Sequence, residues 1–221
     1  MHVLPHPPRS VGSQFELAGA RPGTVHRILW TALEEWSFFG GQTQYQGYQH
    51  RGHREADPGY YQRVGSYWRY GTNQALDGRD RDNAWSATFI SYVMRKAGVS
   101  AHDFHPAYRH SEYINDAIRR RVNGSPENKF VGWRLTEYRP KEGDLVCYWR
   151  KHPKTYEQAS HQRHYESHTD IVVYVAPGEI GVIGGNVSDS VTLSILRLGG
   201  AGFLNKGHHL FAVMENRLPL R

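Results

Sequence analysis

The sequence predicts an α+β protein whose helices pack on one antiparallel sheet. Two observations carry this. Apolar residues recur at helical spacing in four segments before residue 122, and from Trp133 onward the period changes to that of strands. Pairs of Gly, Pro, Asn and Ser fall between the segments and break them. A chain of 221 residues with 38% hydrophobic and 13% aromatic residues is large enough for one buried core and one domain.

Residues 1–22 are rich in Pro, Gly and Ser and read as an extended arm, leaving 23–221 as the domain. Val25, Ile28, Leu29, Ala32, Leu33 and Trp36 place a helix over Thr24–Phe39, ended by Gly40-Gly41. Residues 42–58 are polar and read as a loop. Tyr61, Val64, Tyr67 and Trp68 form an aromatic helical stripe over Tyr60–Tyr70, and Gly71–Asp82 is turn-rich. Ile90, Val93, Met94 and Ala97 mark a helix over residues 82–98, with Gly98 as its stop and Asp82 or Asn83 as its N-cap. Tyr113, Ile114, Ala117 and Ile118 mark another over His110–Arg121, broken by Gly124-Ser125-Pro126. Its closing Arg119-Arg120-Arg121 complements the helix dipole. Strands are expected at Leu145–Trp149, Asp170–Val175, Gly181–Asn186, Val191–Leu196 and Leu210–Met214. Pro177-Gly178 turns the second into the third. Residues 150–166 read as a polar, His-rich loop and Gly199–Gly207 as a glycine-rich connection. No repeat is visible.

The formal net charge is +6 and the isoelectric point near 9.4, which suits an acidic partner such as nucleic acid, an anionic envelope polymer or a membrane surface. No zinc-finger or RNA-binding motif accompanies the charge, so a nucleic-acid partner is not expected. No run reaches the apolar length of a membrane span. One cysteine, Cys147, excludes an internal disulfide framework and reads as a buried inert thiol. Residues 1–10 lack the apolar stretch of a secretory signal, so the location stays open between the cytoplasm and export by another route.

Ser86 falls in the first turn of the central helix. Free N–H groups and the positive end of the helix dipole there favour a developing anion. The same position suits a plain polar residue at a helix start. His168 stands at the head of a strand and Asn186 at the end of the next, and a hairpin joins those strand ends. A nucleophile at a helix N-terminus, a histidine base and an orienting amide make a triad arrangement. The expected geometry is Ser86 Oγ against one ring nitrogen of His168 and Asn186 against the other, with Trp85 and Asp82 as substrate-binding neighbours.

These residues resemble the NlpC-like and CHAP amidase families of papain-fold hydrolases. Trp85-Ser86-Ala87-Thr88-Phe89-Ile90 is similar to their Trp-Cys-Ala-Ala-Phe-Val helix start, and Pro140-Lys141-Glu142-Gly143-Asp144-Leu145-Val146 to their Pro-x-x-Gly-Asp-Leu-Val. His168 matches their strand histidine. Gly184-Gly185-Asn186 with Ser190-Val191 matches a feature of some members. The resemblance covers about residues 80–215, and the segment before it resembles the extra N-terminal helices of a bacterial branch. It implies a papain-like fold, a peptide or amide bond of the bacterial cell wall as substrate, and no cofactor. Peptidoglycan or another anionic envelope polymer would be the partner. By analogy with toxins delivered between cells, an immunity or secretion protein is a further one. Ser86 stands where those families carry cysteine. A serine gains little from the dipole alone and needs a histidine to take its proton. Two readings follow: a hydrolase using Ser86, or a binding module that keeps the groove without cutting.

Other clusters read as structure. His161, His164 and His168 lack the His-Glu-x-x-His pattern, so no metal is expected. His102, His105, His110, His208 and His209 read as loop or capping residues, and Asp80 and Asp82 as turn chemistry.

Overall fold

The computed structural model describes residues 22–152, 154–205 and 207–220. The arm expected at the N-terminus lies almost wholly outside them. Among the described residues five α-helices and eight strands follow in chain order: α1 (Thr24–Phe38), β1 (Thr43–Tyr45), β2 (Tyr48–His50), α2 (Tyr60–Thr72), α3 (Ser86–Lys96), α4 (His110–Asn123), β3 (Phe130–Trp133), β4 (Leu145–Trp149), α5 (Tyr156–His161), β5 (Ser167–Ala176), β6 (Glu179–Val187), β7 (Ser190–Arg197) and β8 (Leu210–Asn216). The strands form one sheet in the order β2-β1-β7-β6-β5-β4-β8-β3. The fold is α+β, as expected.

The sheet is mixed, not wholly antiparallel. β3 to β8 pair antiparallel, but β1 joins β7 parallel. That pairing comes from the segment expected to be a loop, which folds into the β1–β2 hairpin. A polar three-residue strand on a sheet edge carries no apolar alternation to announce it. The loop expected over 150–166 contains α5. Its start is fixed by a reciprocal cap, with Gln158 N–H donating to Thr155 Oγ1 at 3.2 Å and Thr155 N–H to Gln158 Oε1 at 3.0 Å. β3 begins at Phe130, three residues before the expected change of period. β5 begins at Ser167, so His168 lies within the strand.

The sheet has two apolar faces because β residues alternate. Leu145, Cys147, Ile171 and Ile183 face the helices. Val146, Tyr148, Val172 and Val182 face a smaller cluster closed by Leu135, Leu204 and Leu210. Helix α3 is buried continuously from Ser86 to Met94, packing the expected Ile90, Val93 and Met94 into the core. It touches α2 backbone to backbone at Gly71, where a Cβ would sit 2.6 Å from the Thr88 carbonyl oxygen. Across the helical layer, Glu35 of α1 is 1% exposed. Arg63 of α2 grips it with Nε at 2.8 Å and Nη2 at 2.6 Å. The hydroxyls of Tyr67 and Tyr92 donate to it at 2.6 and 3.0 Å. A buried charge needs such complete pairing, and this one ties three helices together beneath the site.

Candidate active site

The start of α3 is set by Trp85. Its ring is 1% exposed and packs against Phe39, Tyr67 and Phe89. Its Nε1–H donates to Glu55 Oε2 at 2.5 Å. This buried anchor replaces the expected side-chain cap: Trp85 is itself the N-cap residue and no side chain caps the helix. Asn83 instead closes a turn onto the Asp80 carbonyl at 2.9 Å. The next residue, Ser86, begins the helix and lines a cavity of about 680 Å³ together with His110, Arg150, Tyr165, His168 and Asn186.

Ser86 Oγ lies 2.6 Å from Nε2 of His110, not of His168. His110 is the first residue of α4, and its ring is locked from behind. Nδ1 is 2.9 Å from the Thr169 hydroxyl of β5 and bonded to the Tyr113 hydroxyl one turn along α4. The two hydroxyls are themselves 3.0 Å apart. Burial, with the nearby His168 and Arg150 adding to it, holds the His110 pKa well below 6.5. The imidazole is therefore neutral at neutral pH and offers a lone pair. Burial also pushes the Tyr113 hydroxyl well above 10, so it keeps its proton.

His168 belongs to a second pair. It shares a face of β5 with Asp170, two residues on. Its Nε2 is 2.7 Å from Asp170 Oδ1. Both residues are 4% exposed. The His168 and His110 rings are 5.0 Å apart, centre to centre. His168 Nδ1 has no protein partner among the described residues.

Asn186 reaches the same cavity but does not orient a histidine. Its Nδ2 donates to Glu55 Oε2 at 2.6 Å. Glu55 thus holds Trp85 and Asn186 together, and burial raises its pKa. The residues before Asn186 are glycines for steric reasons. A Cβ on Gly184 would lie 1.8 Å from Asp170 Oδ1, and one on Gly185 2.6 Å from Phe89. The sheet can thus approach the pair on one face and α3 on the other.

The structure brings Ser86, His168 and Asn186 to one cavity, yet the bonds expected among them are absent. Trp85 is core, buried beneath the site instead of lining it. Asp82 is exposed and outside the cavity lining. His110, expected as a loop or capping residue, is the partner of Ser86. Glu55, Tyr113, Thr169 and Asp170 were not expected at the site either. Two local signals existed: His110-x-x-Tyr113 spans one helical turn, and His168-x-Asp170 shares a strand face. Cys147 is buried and free, and burial raises its pKa. Among the described residues no three His, Cys, Asp or Glu side chains are grouped to hold a metal ion, and no helix is long and apolar enough to cross a membrane.

Fold and site together define an α+β protein with a hydroxyl–imidazole pair at a buried helix start. The chain belongs to the bacterial family described as "uncharacterized protein conserved in bacteria (DUF2272)", whose profile matches residues 71–219. Neither the curated proteins nor the solved structures gave a match.

Proposed function

We propose that this protein is an amide or peptide hydrolase of papain-like, NlpC/CHAP-like fold that acts on bacterial cell-wall peptide, with Ser86 as nucleophile. The observation that carries the proposal is the 2.6 Å contact between Ser86 Oγ and a buried histidine at the wall of a cavity. His110 donates its Nδ1–H to the Thr169 or Tyr113 hydroxyl, which leaves Nε2 to take the serine proton. Ser86 Oγ then bonds to the scissile carbonyl carbon. The first-turn amides of α3, which have no intrahelical partners, receive the oxyanion. The C–N bond breaks as the leaving amine takes the proton that His110 Nε2 received from Ser86, which returns the imidazole to its neutral form. His168, held at Nε2 by Asp170, is the second proton-transfer group of the cavity. Water resolves the acyl-serine by the reverse path. With its Nδ2 committed to Glu55, Asn186 has its amide oxygen left to accept from a substrate N–H. The Pro140–Val146 turn, the nucleophile-bearing helix and the strand histidine support the family resemblance. So does the net charge of +6, which suits an anionic envelope polymer.

One observation favours a binding module instead. His110 is backed by hydroxyls, while Asp170, the nearby carboxylate, is spent on His168. Mass analysis of purified peptidoglycan separates the two readings. Digests with the wild type should contain new fragments that are missing with Ser86→Ala. Replacing His110 with Ala should slow turnover by about 10²–10⁴-fold, the usual worth of a general base. Wild-type spectra matching the no-protein control would refute the hydrolase and leave the binder.

A further inference from the structure

The cavity around Ser86 carries three cations, Arg109, Arg150 and Lys151, against one carboxylate, Glu166. Lys151 Nζ takes that carboxylate at 2.5 Å. Arg109 and Arg150 remain without a carboxylate partner among the described residues. Other arginines, Arg51, Arg69 and Arg139 among them, share that state, and what singles out Arg109 and Arg150 is that both line the cavity that holds Ser86.

Both guanidinium groups have an aromatic ring beside them. Arg109 lies over the Tyr108 ring at 4.8 Å and Arg150 near the Tyr148 ring at 6.0 Å. The Arg150 main chain is tied to β5's approach through its N–H to the Glu166 carbonyl at 2.9 Å. Such contacts leave the N–H edges of the planar forks for an incoming group. Arg109 immediately precedes His110, and Arg150 follows β4, so the pair enters the cavity from two different elements. An adjoining cavity of about 620 Å³ shares His164 with this one and is lined by both signs of charge, Arg119 and Arg163 beside Glu112 and Asp116.

We propose that Arg109 and Arg150 form an anion subsite that selects a carboxylate-bearing peptide for the Ser86 cavity. The inference rests on the hydrolase reading only in taking that cavity as the substrate site. A guanidinium fork matches a carboxylate with two parallel hydrogen bonds, and the amide analogue of the same shape loses both charge and one acceptor.

The test uses the Ser86→Ala protein, so that binding is read without turnover. Two blocked tripeptides differing only in the central residue, acetyl-Ala-Glu-Ala-amide and acetyl-Ala-Gln-Ala-amide, are titrated at low salt by calorimetry. The glutamyl peptide should bind about tenfold more tightly, a typical gain for a charge-assisted pair. Adding Arg109→Gln and Arg150→Gln should erase that preference. Adding Arg109→Lys and Arg150→Lys instead should restore part of it. Both arginines are exposed, so the variants should keep the parent's thermal midpoint, and this is checked alongside. Equal binding of the two peptides, binding of neither, or a preference that survives the double Gln change would each overturn the inference. Inorganic phosphate binding as tightly as the glutamyl peptide would also overturn it and assign the arginines to a free anion. A wild type that cuts nothing, beside a Ser86→Ala protein that prefers the glutamyl peptide, would end the hydrolase reading and leave the subsite standing.

Discussion

Acidification should destabilise this protein through one buried ring, and His110→Gln should remove that part of the effect. His110 is held neutral in the fold by burial, with a pKa well below 6.5, whereas the unfolded chain titrates near 6.5. Below pH 6.5 the unfolded state therefore binds a proton that the folded state does not. The stability contributed by the neutral ring is complete above 6.5. It is lost progressively as pH falls from there toward the folded pKa. The limiting slope for one proton is about 1.4 kcal/mol per pH unit. Glutamine does not titrate, so the variant has a constant offset from its lost bonds and no such slope. Asp144 works the other way, since burial pushes its carboxyl up to about 6. Protonating it on acidification favours the fold, but it does so in both proteins and cancels in the comparison. Urea unfolding of wild type and variant at several pH values between 7 and 4.5 measures the difference directly. Parallel stability profiles across that range would show that His110 is not a buried neutral base, and would remove the proton acceptor on which the Ser86 mechanism depends.

Two further outcomes concern the frame of the site. Glu35→Ala leaves the half-buried Arg63 guanidinium and two tyrosine hydroxyls without their acceptor. It should cost about 3–5 kcal/mol in chemical denaturation, and a loss under 1 kcal/mol would contradict the tie between the three helices. Gly185→Ala places a methyl 2.6 Å from Phe89 and 2.7 Å from Trp85. Overpacking of about 1–3 kcal/mol should lower the melting midpoint by roughly 2–4 °C per kcal/mol, and an unchanged midpoint would show that α3 does not press on β6 there.

The long periodic segments were legible because tertiary packing agreed with local pattern. Ile90, Val93 and Met94 mark α3 correctly for that reason, as do Tyr113, Ile114 and Ile118 for α4. The strands were legible where alternation was apolar, and illegible at Thr43–Tyr45, whose pairing with β7 rests on main-chain bonds and on polar side chains such as Gln44 and Ser194. In the site, sequence placed Ser86, His168 and Asn186 in one neighbourhood and misjudged who bonds whom. Strand register and helix rotation decide whether His110 or His168 meets the serine. Those are properties of the assembled layers, and no local spacing encodes them. Glu55 was unreadable for a related cause: a carboxylate in a polar, turn-rich segment looks solvated until Trp85 and Asn186 close over it.

The Glu55 contact also sets where this protein can be cut. The family profile begins at residue 71, yet Glu55 lies upstream of it and supplies the acceptor for both the indole beneath Ser86 and the amide at the cavity wall. Phe39 and Tyr67, which pack on the same indole, come from upstream as well. A fragment or chimera with its junction at residue 71 would sever the support of its own reactive helix. The unit that can be transplanted into another protein therefore starts no later than α1.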